Sequence, residues 1–168
     1  MSFATDLAKR AVEESVRSGR VAEALGEIPT EFRGRAGAFV SLKVQGRLRG
    51  CIGTIEPTQP SAAAEIIRSA ILAANEDPRF MPVTETELPD LVYSVDVLGE
   101  PEAVGGLDEL DPRKYGCIVE AGHRRGILLP DIEGVDGVER QIEICRQKAG
   151  IRPDEPISLY RFTVTRYA

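Results

Sequence analysis

Residues 36 to 55 constrain the fold more than any other stretch. Ala38, Val40, Leu42 and Val44 recur with a period of two, Phe39 and Ser41 fall between them, and Gln45-Gly46-Arg47 reads as a tight turn into Leu48 to Ile55. The pattern predicts a β-hairpin, and hairpins build antiparallel sheets. Glu56-Pro57-Thr58-Gln59-Pro60 then breaks the extended run, and Ala63, Ile66, Ile67, Ala70, Ile71 and Ala74 return at the offsets of one helical face. Thr58 or Ser61 can cap that helix, Pro60 is tolerated near its start, and Asp77-Pro78 ends it.

The remaining elements are mixed in order. Phe3, Leu7, Ala8, Ala11, Val12 and Val16 predict an amphipathic helix from Ser2 to about Ser18 with Gly19 as its stop. Arg20 to Arg35 reads as connector because of Gly26, Pro29 and Gly34, although Val21 to Leu25 could add a helical turn. Leu91, Tyr93, Val95 and Val97 predict a strand at or near the centre of a sheet. A second hairpin is expected from Tyr115 to Ala121 and Arg124 to Leu129 around Gly122-His123. A helix from Gly137 to Ala149 should bury Val138, Ile142, Cys145 and Ala149, and one last strand is expected from Ser158 to Thr165. Hairpins and separated helices without a βαβ repeat predict α+β, a mainly antiparallel sheet with flanking helices. The 168 residues amount to about one domain, 1–168, divided at most into two lobes.

Composition removes several classes of function. The 21 basic and 27 acidic side chains give a net charge of −6, which argues against a surface built to coat nucleic acid. The pairs Arg33 with Arg35 and Arg124 with Arg125 therefore read as solvated surface. No run approaches the ~20 apolar residues that span a bilayer, so no membrane association is expected. Cys51, Cys117 and Cys145 are an odd, widely spaced set without a CxxC pair, which suits reduced thiols. With a start that lacks the basic-then-apolar pattern of a signal peptide, the expected location is cytoplasmic. These cysteines and the sole histidine, His123, lack zinc-site spacing, and no Walker-type loop is present, so neither metal nor cofactor is expected.

The unusual segment is Arg47 to Thr54. In an extended chain Arg47, Arg49 and Cys51 share one face, and Leu48 and Ile52 would anchor the other in a core. A guanidinium beside a thiol favours thiolate, the form that attacks electrophiles. Gly50 and Gly53 would let a ligand approach the main chain. The plain alternative is that Cys51 packs as a small hydrophobe and that the glycines mark close packing. Cys117 and Cys145 read as core, and His123 lies in a turn rather than beside Cys51. Asp77-Pro78-Arg79-Phe80 either presents Arg79 to a carboxylate or phosphate, or pairs Arg79 with Asp77 while Phe80 plugs the core.

Leu48-Arg49-Gly50-Cys51-Ile52-Gly53 strongly resembles the hallmark of the AMMECR domain family. Phe39 to Leu42, Asp77 to Phe80, Glu87-Leu88, Lys114-Tyr115-Gly116, Arg125 to Pro130 and Leu159 to Phe162 look like further landmarks in family order. Among its branches the chain is most similar to the prokaryotic one of the AmmeMemoRadiSam system, named for its association with a Memo-like protein and a radical SAM protein. The resemblance implies an α+β fold of two unequal lobes with a cleft between them. It also implies candidate positions at Arg49, Gly50, Cys51, Ile52 and Gly53 and at Asp77, Arg79 and Phe80. Met81 stands where the family commonly has proline, and Cys117 where an aliphatic residue is expected.

Two functions compete on this reading. One is an accessory or binding module acting with Memo-like and radical SAM proteins through a cleft around Arg49 to Gly53. The other is an enzyme whose candidate catalytic residues are Cys51, as nucleophile or redox thiol, and Arg49, as its activator. Gly50, Ile52, Gly53, Asp77, Arg79 and Phe80 would then bind a small anionic substrate. No complete catalytic set accompanies Cys51, which favours the module.

Overall fold

Serine and threonine at the start of the chain and glycine at residue 19 define its first helix. The computed structural model describes residues 2–168. Helix α1 (Phe3–Ser18) is capped by Ser2, whose Oγ accepts from the Thr5 backbone N–H at 3.2 Å, and it stops at Gly19 in the left-handed region with φ +68°. No helical turn forms between residues 20 and 29. A short 3-10 turn at Thr30–Phe32 instead buries Phe32 between the rings of Phe3 and Tyr167, at 5.1 and 5.2 Å.

Strands β1 (Ala38–Val44) and β2 (Arg47–Gly53) form the expected hairpin. Its two turn residues, Gln45 and Gly46, have φ of 51° and 76°, the left-handed pair that matches strand twist. Helix α2 (Ala62–Asn75) starts at Ser61, whose Oγ accepts from Ala64 N–H at 3.1 Å. Its alanines let it lie close on the hairpin: Ala63, Ile66, Ala70 and Ala73 are buried along with Val40 and Leu42. Strand β3 (Leu91–Leu98) pairs antiparallel with β1, and with the last strand, β8 (Val164–Tyr167), the sheet order is β2-β1-β3-β8. The strand expected near the centre of a sheet therefore is interior.

A second four-stranded sheet has the order β4-β7-β5-β6. Its members are β4 (Glu102–Ala103), β5 (Gly116–Ala121), β6 (Arg124–Leu128) and β7 (Ser158–Phe162), all antiparallel to their neighbours. Helix α3 (Val138–Ala149) covers it, ending at Gly150 with φ +69°. The final strand is not continuous as its residue pattern predicts. It breaks at Thr163, whose carbonyl accepts from Gly99 N–H at 2.8 Å, and β8 (Val164–Tyr167) joins the first sheet. Unbroken alternation in sequence does not reveal a change of sheet.

The chain divides into two compact units, residues 1–98 with 165–168 and residues 99–164. The first has a core of α1, α2 and the inner faces of β1 and β3. The second has a smaller core containing Leu110, Cys117, Val119, Cys145 and Ile151. Gln141 of α3, absent from the expected apolar face, is fully buried there and donates to the Tyr115 carbonyl at 3.0 Å.

Candidate functional site

The hallmark strand β2 is the outer strand of its sheet, so half of its backbone groups point away from β1. Ser41 opposes Cys51 in the register. The Cys51 N–H and C=O both turn to the open side and find side-chain partners. The N–H donates to Asp77 Oδ2 at 3.0 Å, and the carbonyl accepts from Arg79 Nη2 at 3.3 Å. Asp77 and Arg79 are themselves joined, Arg79 Nε to Oδ1 at 3.0 Å and Nη2 to Oδ2 at 2.8 Å. One carboxylate and one guanidinium thus do for Cys51 what a neighbouring strand's carbonyl and amide would do.

The loop that presents this pair is fixed at both ends. Helix α2 stops where Pro78 requires a non-helical Asp77. Asp77 Oδ1 then accepts from Arg79 N–H at 3.0 Å, and the Phe80 N–H returns to the Asp77 carbonyl at 3.1 Å. Hydrogen bonds from the Arg79 guanidinium, helped by the Cys51 and Arg79 backbone amides, hold the buried Asp77 carboxyl far below the usual carboxylate range despite desolvation. The same carboxylate, with the nearby Cys51, pushes Arg79 up.

Arg49 does not lie on the face expected for it. The register slips between Leu42 and Lys43, so that Gly50 opposes Leu42 while Leu48 opposes Lys43, and Arg49 is the extra residue of a β-bulge. The bulge reverses the alternation before it: Leu48, expected in the core, is 39% exposed. Arg49 instead forms a two-pronged pair with Glu87, 38 residues away, at 2.9 and 3.2 Å. Glu87 also accepts from Thr84 N–H at 2.7 Å, and these bonds, Arg49's foremost, hold its carboxyl below the ordinary range. Both guanidiniums approach the Phe80 ring, Arg49 at 5.9 Å and Arg79 at 5.5 Å from its centroid.

Gly50 and Gly53 serve packing. A Cβ at Gly50 would lie 2.2 Å from the Ala73 carbonyl of α2, and one at Gly53 2.3 Å from the Ala38 carbonyl. On the side where a Cβ would point, neighbouring backbone fills the space at both. Ile52 packs, partly buried, on the core of the first unit. Cys51 is half-buried, and the Ser41 hydroxyl donates to its sulfur at 3.2 Å. Among the described residues, no other side chain hydrogen-bonds that sulfur. His123 is exposed in the β5–β6 turn. Among the described residues no three His, Cys, Asp or Glu side chains are grouped to hold a metal ion, and no helix is long and apolar enough to cross a membrane.

Three participants were not among the candidate site residues: Ser41 and Glu87, noted only within family landmarks, and Glu65. Fully buried Glu65 in the first turn of α2 accepts from Thr54 and Thr58 hydroxyls at 2.7 and 2.8 Å, and from Thr58 and Gln59 amides at 2.8 and 2.9 Å. Burial alone would raise its carboxyl, but these four bonds outweigh it and lower it. They fasten residues 54–59, the segment leaving the hallmark strand. An acidic residue four positions after Ser61, in the first turn of the helix, was the available signal; its four donors lie up to 11 residues away.

A profile of the family described as AMMECR1 matches residues 5–167. A protein of Thermotoga maritima is 56% identical over 161 residues, covering 94% of this chain and 92% of its own length. A longer protein of Clostridium acetobutylicum is 48% identical over 166 residues, of which this chain spans 35%. The crystal structure of an uncharacterized protein from Pyrococcus horikoshii superposes with a TM-score of 0.88 at 34% identity, covering 98% of this chain and 88% of that one.

Proposed function

The chain belongs to the AMMECR1 family, and from that premise we propose that it is an accessory binding module whose docking surface is the capped edge of β2, with Memo-like and radical SAM proteins as its partners. The observation that carries this reading is that both charged groups around Cys51 are already engaged, Arg79 with Asp77 and Arg49 with Glu87. Paired in this way, the charges hold one another in place and make a stiff surface. That surface ends in residue types enriched at interfaces: Arg79, whose side chain is 55% exposed, the half-buried Phe80, and Met81, 81% exposed. Cys51, Ile52, Gly50 and Gly53 hold the strand in place beneath it.

The test is co-purification and titration of the full chain with a Memo-like and a radical SAM protein under reducing, anaerobic conditions. Binding should survive Cys51→Ser and fall by roughly tenfold or more in Phe80→Ala, as expected for an interface anchor. No association of the unaltered chain with either partner overturns the reading.

One observation favours a second reading, in which Cys51 is a nucleophile or redox thiol acting on a small anionic substrate. The Ser41 hydroxyl donates to the sulfur at 3.2 Å, a contact that would orient the thiol toward a substrate. Alkylation of Cys51 at fixed pH should then slow severalfold in Ser41→Ala. Equal rates in the two proteins remove that reading.

A further inference from the structure

We infer that the open face of the first sheet carries a separate binding site for a small organic oxyanion, in the hollow where Lys43, Ser41, Ser94 and Arg166 meet. The helices occupy one face of this sheet, where Val40, Leu42 and Val95 are fully buried. Alternation sends Ser41 and Lys43 of β1, and Val92 and Ser94 of β3, to the other face. The register places Ser41 opposite both Cys51 and Ser94, and Lys43 opposite Val92. Strand β8 lies beside β3, and its Arg166 extends the polar row. These residues and Ala168 line a hollow of about 340 Å³, within the range that small-molecule sites occupy.

The chemistry of the lining selects the ligand. Lys43 is exposed and makes no ion pair among the described residues, and the Ser94 hydroxyl makes no hydrogen bond among them. The unpaired ammonium and unused hydroxyl stand two positions apart, and the carboxylate on the same face, Asp96, is already taken by Arg166. Arg166 is held in position by Asp96, Nε to Oδ1 at 2.7 Å and Nη2 to Oδ2 at 2.9 Å. Val92, 63% exposed, adds an apolar wall beside Lys43. The Ser94 hydroxyl, an ammonium and an apolar wall suit an oxyanion on a short carbon chain, a carboxylate or a phosphate monoester. The site is independent of the docking surface, which turns on Arg79 and Phe80.

The experiment is an amide chemical-shift titration of the full chain with inorganic phosphate and, separately, with butyrate, at constant ionic strength. The site predicts saturable shifts confined to Ser41, Lys43, Val92 and Ser94, and the tighter of the two probes identifies the head group. Lys43→Gln should weaken binding by roughly fivefold, the weight of one exposed charge contact, while Arg47→Gln at the start of β2 leaves it unchanged. Shifts that stay linear to roughly 50 mM with both probes, or equal affinity in Lys43→Gln, overturn the proposal. Because neither exposed substitution touches the core, loss of fold does not confuse the outcome.

Discussion

The surroundings of Cys51 and of Cys117 with Cys145 show how differently one residue type is used within 168 residues. Cys51 sits half-buried at a sheet edge, with a hydroxyl on its sulfur and an ion pair on its backbone. Cys117 and Cys145 are fully buried between β5 and α3, where the Cys145 thiol donates to the Cys117 carbonyl at 3.6 Å. Hydrogen bonding with Cys145 and burial push the Cys117 thiol far above the usual range. Apolar enclosure makes the second pair inert packing, whereas polar contacts make the first a joint between two loops and a strand. What separates them is the neighbours that the fold supplies, not spacing along the chain.

The sharpest way to break this contrast is to disturb the close contact beneath each cysteine. Gly126 lets α3 approach β6: a Cβ there would lie 1.8 Å from the Cys145 carbonyl. Gly126→Val should therefore cost about 4 kcal/mol or more, read as a loss of cooperative unfolding in denaturant. Next in size is Asp77→Asn, which leaves the Cys51 edge without its charged partner and should cost about 2 kcal/mol. The effect is pH-dependent. Because the folded state holds the Asp77 carboxyl far below its unfolded value of ~3.9, its contribution is complete above about pH 4 and is lost as pH falls further. Urea midpoints should consequently converge between wild type and Asp77→Asn in acid and diverge at neutral pH; a constant gap would remove this assignment.

Smaller effects sharpen the comparison. Cys145→Ser places a hydroxyl in an apolar core and should cost about 2 kcal/mol, against about 0.5 kcal/mol or less for Cys51→Ser, where polar partners already exist. A thiol reagent applied to the native protein should label Cys51 alone, with the other two cysteines reacting only on unfolding. Fast labelling of Cys117 or Cys145 would contradict the enclosure described here.

Much of the scaffold is legible in the residues themselves. Ser2 and Gly19, Ser61 and Asp77-Pro78, Gln45-Gly46 and Gly150 each mark a boundary through a local mechanism, and all act within a few residues. The site is less legible because its bonds are not local. Asp77 meets Cys51 across 26 residues and Arg49 meets Glu87 across 38, and nothing in either segment encodes the other's approach. The single extra residue at Arg49 was enough to undo the face expected for it and for Leu48. Phe32 in a presumed connector, and the change of sheet at Thr163, fail for the same reason: each depends on a partner distant in sequence. Pairing of Arg79 with Asp77 was one of two expected arrangements, and their joint hold on the Cys51 backbone emerges only from the fold.

Amide hydrogen exchange at Cys51 is the most direct measurement of whether the Asp77–Arg79 pair closes the hallmark edge. Its N–H faces away from β1, so in an open edge it would exchange like a solvated amide. Slow exchange is predicted in the unaltered chain, with acceleration of roughly tenfold or more in Asp77→Ala and no change at Ile52, whose amide faces β1. Rapid exchange at Cys51 in the unaltered chain, or a rate indifferent to Asp77→Ala, would contradict the capped edge.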